Sequence, residues 1–122
     1  MAKFNIVIAG GREFNDYKFL KARMDHLCRN LAAKGIEPVV VSGKARGADS
    51  LGERWANEHG YEVISKAADW DTHGKSAGYK RNEEMALIAD AVVCFWDNKS
   101  KGTKHMIELA KKHRKIIYVY PY

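Results

Sequence analysis

Short β-branched or aromatic segments alternate with helix-like segments along the whole chain. The strand-like segments lie at positions 4–9, 38–41, 61–64, 91–96 and 115–120. Between the first two, apolar residues recur three or four positions apart over 16–34, which is typical of an amphipathic helix. Further helices are expected from Asp49 onward, over 83–89 and over 102–113. The pattern therefore predicts five strands joined by four helical connections.

Strands that are apolar along their whole length are typical of a parallel sheet with helices on both faces. The expected fold is α/β, a Rossmann-like three-layer sandwich with a five-stranded parallel sheet. The 122 residues hold no repeat or linker, so one domain over 1–122 is expected. The hydrophobic fraction of 46% suffices for a core, and no apolar run approaches the roughly 20 residues of a membrane span. With no signal peptide recognisable, we expect a cytoplasmic protein without a membrane partner.

Cysteines, histidines and charge limit the functional classes. Cys28 and Cys94 are far apart and lack metal-ligand spacing, and the five histidines lack zinc-type spacing, so buried reduced thiols and no metal or cofactor are expected. The net charge of +6 admits nucleic acid or nucleotides as partners. The one basic cluster, at 111–115, is interpreted as the end of a helix, where cations complement the dipole, with a nucleic-acid patch as the alternative. Nucleic acid therefore ranks below a small nucleotide-type ligand.

Ligands of open parallel sheets bind beyond the carboxyl ends of the strands, which directs attention to the strand-to-helix loops. The first of these loops carries Gly10, Gly11 and Arg12. Adjacent glycines permit a close backbone approach to a ligand, and an arginine can make a bidentate contact with phosphate. The dinucleotide fingerprint Gly-x-Gly-x-x-Gly is absent.

The second loop, at 42–49, carries Gly43, Arg46, Gly47 and Asp49. Glycines that flank a basic pair before a helix start indicate an anion cradle. Asp49 has two interpretations at this stage, either a purely structural N-cap of the helix or a ligand contact.

The third loop is long, covering 66–82, and long loops in small domains are more often functional than idle. Its candidate site residues are Trp70, Lys75, Arg81 and Asn82. Trp70 either stacks on a base or covers the end of the core.

The fourth loop follows the strand that ends at Trp96 and carries Ser100, Gly102 and Thr103. These three residues fall at the first turn of a helix, where free N–H groups and the helix dipole favour a phosphate. The segment is either an anion site or a well-capped helix start.

Taken in order, the loop motifs resemble one known superfamily. They are Gly-Gly-Arg at 10–12, Ser-Gly-x-Ala-Arg-Gly-Ala-Asp at 42–49, Ala-Asp-Trp at 68–70, Gly-Lys-x-Ala-Gly at 74–78, Arg-Asn at 81–82, Ala-Asp-Ala at 89–91 and Ser-Lys-Gly-Thr at 100–103. This set resembles the SLOG superfamily, and within it the small YspA-like, YpsA-related group. The resemblance covers almost the whole chain and implies a nucleotide or nucleotide-derived ligand at the loop edge.

The same superfamily includes the LONELY GUY phosphoribohydrolases, which cleave the N-glycosidic bond of nucleoside monophosphates, and the DNA-processing DprA proteins. Arg81 and the Gly102-Thr103 pair match the phosphoribohydrolase pattern, but Met106 stands where those enzymes carry a glutamate. The nearest acid, Glu108, is rotated by about 200° around a helix and should point away from the ligand. Binding is therefore favoured over catalysis, and no catalytic residue is assigned.

Three functions follow from these observations. The first is a sensor or sequestering module for a nucleotide-type ligand, in which Arg12, Arg46 and Lys75 contact phosphate and Trp70 or Trp96 stacks on the base. There, Arg81 and Asn82 set the orientation, and Gly43, Gly47, Gly102 and Thr103 supply donors. The alternatives are a nucleoside-monophosphate N-glycosidase and a single-stranded DNA-binding protein. Assembly into a homo-oligomer is an additional expectation, because related domains often pair.

Overall fold

The computed structural model describes residues 2–122 and contains one sheet of five parallel strands. The strands are β1 (Lys3–Gly10), β2 (Glu37–Ser42), β3 (Glu62–Ser65), β4 (Ala91–Trp96) and β5 (Ile116–Pro121). The helices are α1 (Tyr17–Ala33), α2 (Ala48–His59), α3 (Trp70–His73), α4 (Ala77–Ile88) and α5 (Lys101–Lys112). A 3₁₀ turn (Gly74–Ser76) joins α3 to α4. The predicted α/β fold with a five-stranded parallel sheet is confirmed.

The segment predicted as a long loop, 66–82, is largely helical, which corrects the sequence-based expectation. Asp69 begins α3 by accepting a hydrogen bond from the amide of Thr72 at 3.1 Å, and α4 begins at Ala77 rather than near Glu83. The signal was weak because α3 buries none of its residues, so the segment shows no apolar periodicity.

Two apolar cores lie on opposite faces of the sheet, because successive side chains of a strand point to opposite sides. Ile6 and Ile8 of β1 face the layer formed by α1 and α2, whereas Val7 faces the layer formed by α4 and α5. The helices contribute Leu20, Met24, Trp55 and Ala56 to the first core and Met85, Ala86, Met106 and Leu109 to the second. This arrangement is the three-layer sandwich expected from the apolar strands.

The strand order is β3-β2-β1-β4-β5, so the chain reverses its direction of progress across the sheet between β1 and β4. The connections after β1 and β2 place their helices on one face, and those after β3 and β4 place theirs on the other. A crevice opens where the two directions diverge, beyond the carboxyl ends of β1 and β4.

Both cysteines are buried and free, as predicted, and burial raises the pKa of Cys28 and of Cys94 to about 12. Lys111 and Lys112 occupy the last turn of α5, where their positive charge interacts favourably with the negative end of the helix dipole. This position supports the interpretation of the basic cluster as a helix C-terminus. Among residues 2–122, no helix has the length and apolar character needed to cross a membrane.

Candidate functional site

A cleft of about 320 Å³ lies at the reversal between β1 and β4. Its volume falls within the range of small-molecule sites, roughly 300–1,000 Å³. Side chains from β1, from the loop and helix after β2, from α4 and from the start of α5 converge there. The lining residues are Ala9, Gly10, Arg12, Ala45, Asp49, Arg81, Asn82, Met85, Ser100, Gly102, Thr103 and Met106.

Arg81 is half-buried on the wall of the cleft and is held in place by two acceptors. Its Nη1 donates to the carbonyl oxygen of Gly43, and its Nε donates to Oδ1 of Asn82 at 3.0 Å. A Cβ at position 43 would lie 2.9 Å from both Arg81 Nη1 and Asp49 Oδ2. A side chain at position 43 would therefore have to displace the guanidinium of Arg81 or the carboxylate of Asp49.

Asp49 is not the N-cap of α2, which corrects one of its two predicted roles. The helix begins at Ala48 with Gly47 at the N-cap position, and Asp49 lies inside the first turn. It is only 6% exposed, and its Oδ2 accepts a hydrogen bond from the amide of Ala45 at 3.3 Å. Burial raises the pKa of Asp49 to about 6, while the Ala45 bond and the charge of Arg81 oppose that rise.

Asn82 joins the middle of α4 to the first turns of α5 from a position that is 8% exposed. Its Nδ2 donates to the carbonyl oxygen of Gly102 at 3.4 Å and lies 3.3 Å from Nδ1 of His105. The ring of His105 packs edge-on against Tyr79, with centroids 4.6 Å apart, and burial lowers its pKa. The sequence assigned His105 no binding role, and the available signal was its place near the start of a helix that begins at the ligand edge.

The start of α5 is both capped and open to the cleft. Ser100 is the N-cap, and its Oγ accepts from the amide of Thr103 at 3.4 Å and from Thr103 Oγ1 at 3.1 Å. The amides of Lys101 and Gly102 have no hydrogen-bond partner within residues 2–122. A Cβ at Gly102 would meet nothing within 4 Å, so the backbone there is accessible from the cleft.

A second depression, of about 470 Å³, adjoins the cleft and shares Arg12, Ala45 and Arg81 with it. Trp70 lines it and is 53% exposed, so this indole does not cover the end of the core. Arg46 also lines it and pairs with Glu13 at 2.7 Å, an exposed contact of small energetic value. Arg12 is exposed and takes part in none of the ion pairs formed within residues 2–122.

Three predicted site glycines serve the packing of the loops themselves. A Cβ at Gly10 would collide with the carbonyl oxygen of Phe95, one at Gly11 with the hydroxyl of Tyr122, and one at Gly47 with the carbonyl oxygen of Gly11. Gly47 also adopts a positive φ of 79°, a conformation that side chains disfavour. At these three positions the backbone closely approaches neighbouring segments of the chain, and Gly10 also lines the cleft.

Lys75 and Trp96 lie outside the lining of both depressions. Lys75 is exposed on the 3₁₀ turn. Trp96 is partly buried against the second core, and its Nε1 donates to the carbonyl oxygen of Ser100 at 3.1 Å. This indole therefore holds the loop that precedes α5.

The loop after β2 is shaped by a polar network that sequence reasoning did not identify. Ser42 Oγ donates to Glu53 Oε2 at 2.6 Å and accepts from the amide of Lys44 at 3.1 Å. Lys44 Nζ pairs with Glu53 at 2.7 Å, while Lys44 adopts a positive φ of 63°. The network fixes the path by which the chain reaches Ala45 and Asp49.

The floor of the cleft is apolar. Met106 is 1% exposed and Met85 is 2% exposed, and both line the cleft. Glu108 is exposed and does not line it, as its position on the helix predicts. Among the lining side chains of the described chain, Asp49 alone carries a carboxylate. Residues 2–122 bring together no group of three or more His, Cys, Asp or Glu side chains able to hold a metal ion.

Comparison with known proteins yields matches in sequence and in structure. A family model described as the YspA, cpYpsA-related SLOG family matches residues 4–73, which confirms the resemblance indicated by the loop motifs. The gene 61 protein of Mycobacterium phage D29 is 37% identical over 113 residues, covering 88% of this chain and 88% of that protein.

Two solved structures of DNA processing protein A share the fold. The Helicobacter pylori protein, described with a single-stranded DNA binding mode, matches with a TM-score of 0.69 and 24% identity, over 98% of this chain and 66% of that one. The Streptococcus pneumoniae protein matches with a TM-score of 0.77 and 18% identity, over 99% of this chain and 51% of that one. The chain thus spans about two thirds and about half of these two structures.

Proposed function

Because the chain belongs to the YspA, cpYpsA-related SLOG family, we propose that its cleft binds the phosphate of a nucleotide or nucleotide-derived ligand. The observation that carries this proposal is the convergence of two guanidinium groups, those of Arg12 and Arg81, with the open first turn of α5 in one cleft. Arginine forks and helix N-termini are both suited to phosphate oxygens.

The proposed contacts divide between the two adjoining depressions. In the cleft, the amide of Gly102 and the guanidinium of Arg12 receive the phosphate, while Arg81 and Asn82 fix its orientation. In the neighbouring depression, the exposed indole of Trp70 offers a face on which a base can stack. A phosphate and a base joined by a ribose would span the two.

Binding without turnover is favoured by the floor of the cleft. Hydrolysis of an N-glycosidic bond needs a carboxylate to activate water or to stabilise the oxocarbenium-like sugar. Met106 occupies the position of the phosphoribohydrolase glutamate, and Glu108 faces solvent. A protein that retains its nucleotide in this way suits a role as a sensor or as a sequestering module.

One observation favours the enzymatic alternative. Asp49 lines the cleft, and its pKa is raised to about 6 by burial, a property typical of acid–base groups in active sites. Incubation with nucleoside monophosphates, followed by chromatography for free base, tests this alternative. Base release that is lost in Asp49→Asn would establish hydrolysis, and its absence alongside measurable binding supports the binder.

The binding proposal is tested by calorimetry with nucleoside monophosphates, the matching nucleosides and inorganic phosphate. We expect the monophosphates to bind and the nucleosides to bind far more weakly. Arg12→Ala should weaken binding about tenfold, because it removes a charge-assisted hydrogen bond without breaking an ion pair within residues 2–122. Lys75→Ala is the matched control, since it removes an exposed cation outside both depressions and should leave the affinity unchanged.

No binding by any member of the panel, or equal losses in Arg12→Ala and Lys75→Ala, would refute the proposal. A salt titration separates a free nucleotide from single-stranded DNA, the ligand described for the Helicobacter pylori relative. Affinity for DNA falls steeply with salt because many phosphate contacts release counterions, whereas a mononucleotide makes few such contacts. Retention of mononucleotide binding at salt that abolishes DNA binding supports the small-molecule ligand.

A further inference from the structure

β5 is an edge strand whose one protective feature against pairing with another chain is Pro121 at its end. Within residues 2–122 it pairs only with β4, and its residues Ile116–Pro121 include no charged side chain. Three of its large side chains are substantially exposed, Ile116 at 50%, Tyr118 at 39% and Val119 at 40%. Long apolar edges invite strand addition unless charge, shortness or a cover prevents it.

The opposite edge of the sheet differs on each of these points. β3 has four residues, and its first residue, Glu62, carries a charge that pairs with Lys3 at 2.8 Å. A short and charged edge discourages strand addition. The exposed apolar character is therefore specific to the β5 edge.

The directions of the N–H and C=O groups of β5 show which of them point away from β4 and can pair with another strand. The amide of Ile116 donates to the carbonyl oxygen of Asp90, and that of Tyr122 donates to Trp96. Backbone groups alternate sides along a strand, so Ile117 and Val119 direct both their N–H and C=O groups away from the sheet. Pro121 is the next outward-facing position and has no N–H to donate.

The face of the sheet beside β5 is also incompletely covered. An apolar groove of about 200 Å³ lies between α1 and β5, with Leu27 and Leu31 on one side and Ile116 and Tyr118 on the other. α1 packs over the central strands and leaves these two β5 side chains half exposed.

We propose that the β5 edge is the interface with a second copy of this chain, through antiparallel pairing of the two β5 strands about Tyr118. In this register Ile117 lies opposite Val119 of the second copy, and the two residues exchange both hydrogen bonds, twice by symmetry. Pairing about Tyr118 satisfies the donor and the acceptor of both outward residues, and it ends where Pro121 cannot donate. The two sheets become one continuous sheet.

Self-complementarity selects a second copy over an unrelated partner. A two-fold interface brings the same surface to both sides, so each residue must suit its symmetry mate. Here Ile116 faces Tyr120, Ile117 faces Val119, and Tyr118 faces itself. The flanking cations Arg114 and Lys115 fall opposite the uncharged positions 122 and 121, so like charges do not meet.

The self-pairing of position 118 gives a sharp test with the full chain. Analytical ultracentrifugation should show the wild type at twice the monomer mass of 13.8 kDa. Tyr118→Lys and Tyr118→Glu should each dissociate at least about tenfold more readily, since each places like charges face to face across the axis. An equal mixture of the two variants should regain the dimer. Leu87→Lys, at an exposed apolar site on α4, is the matched control and should remain dimeric.

A covalent variant keeps the test decisive if the charged variants fold poorly. Tyr118→Cys should form a disulfide-linked dimer on mild oxidation, because opposed residues of a non-hydrogen-bonded pair bring their Cβ atoms to about 4.5–5.5 Å. The native thiols are buried and do not compete. Leu87→Cys should remain uncrosslinked. A wild type that stays monomeric up to high concentration, or charged variants that dimerise as the wild type does, would overturn the proposal.

Discussion

At the scale of single residues, the buried carboxyl group of Asp49 couples the stability of the protein to pH. Burial raises its pKa to about 6, so in the folded chain it keeps its proton at pH values where an unfolded aspartate, with a pKa of about 3.9, has lost it. The folded state therefore binds more protons between these values. The stability that this group contributes is fully present below the unfolded pKa and is lost as the pH rises through 6.

Asp49→Asn should remove this dependence, because an amide does not titrate. Relative to the variant, we expect the free energy of unfolding of the wild type to fall by on the order of 3 kcal/mol between pH 4 and pH 7. Urea denaturation across that range measures the difference. Asp71→Asn, an exposed aspartate on α3, should give a curve parallel to the wild type. Parallel curves for Asp49→Asn would contradict the assignment.

Two glycines of the ligand edge should differ in how far substitution by alanine destabilises the fold. Gly47→Ala forces a side chain into a positive φ and against the carbonyl oxygens of Gly11 and Arg12, so a loss of about 1–3 kcal/mol is expected. Gly102→Ala meets only open space, and its stability should remain within about 0.5 kcal/mol of the wild type. Chemical denaturation of both variants checks the contrast, and equal losses would argue against it.

At the scale of elements, the start of α5 allows the role of Ser100 as helix N-cap to be separated from its role in phosphate binding. Ser100→Ala removes the N-cap of α5 and should cost about 1 kcal/mol. Ser100→Asp should retain the cap and the stability, because aspartate caps helices as well as serine does. Its negative charge at the start of α5 should nevertheless weaken phosphate binding at least about tenfold. Calorimetry showing wild-type phosphate affinity in Ser100→Asp would place the phosphate elsewhere.

The elements differ in how far they can be predicted from sequence. The strands were recoverable because each contains a short run of β-branched or aromatic residues, which is uninterrupted in Ala91–Trp96. α1 was recoverable because Leu20, Met24 and Cys28 recur one turn apart on its buried face. α3 was missed because it is a single turn that begins with the Asp69 cap and buries none of its residues, so it has no apolar stripe.

The candidate site was predictable as a set of loops but not as a set of contacts. The strand order reverses between β1 and β4, and the cleft that opens there brings Arg81 and Thr103 together. This juxtaposition follows from the topology of parallel sheets. Local spacing could not reveal that Gly10 and Gly47 are required by Phe95 and Gly11, because those partners are distant in sequence. Nor could spacing show that Asp49 is buried against Arg81.

At the scale of the whole molecule, the central position of β1 has a consequence for the time course of folding. β1 pairs with β2 and also with β4, and the amide of Asn5 donates to the carboxylate of Asp90, 85 positions away, at 2.8 Å. Contacts across such long chain segments form slowly, because the entropy of closing the loop must be overcome first. The residues that line the cleft come from β1 and from the segment after β4, so the cleft is complete only after these two strands have paired. In a stopped-flow experiment, the capacity to bind nucleotide should therefore emerge only with the slowest refolding phase, after most helical signal has returned.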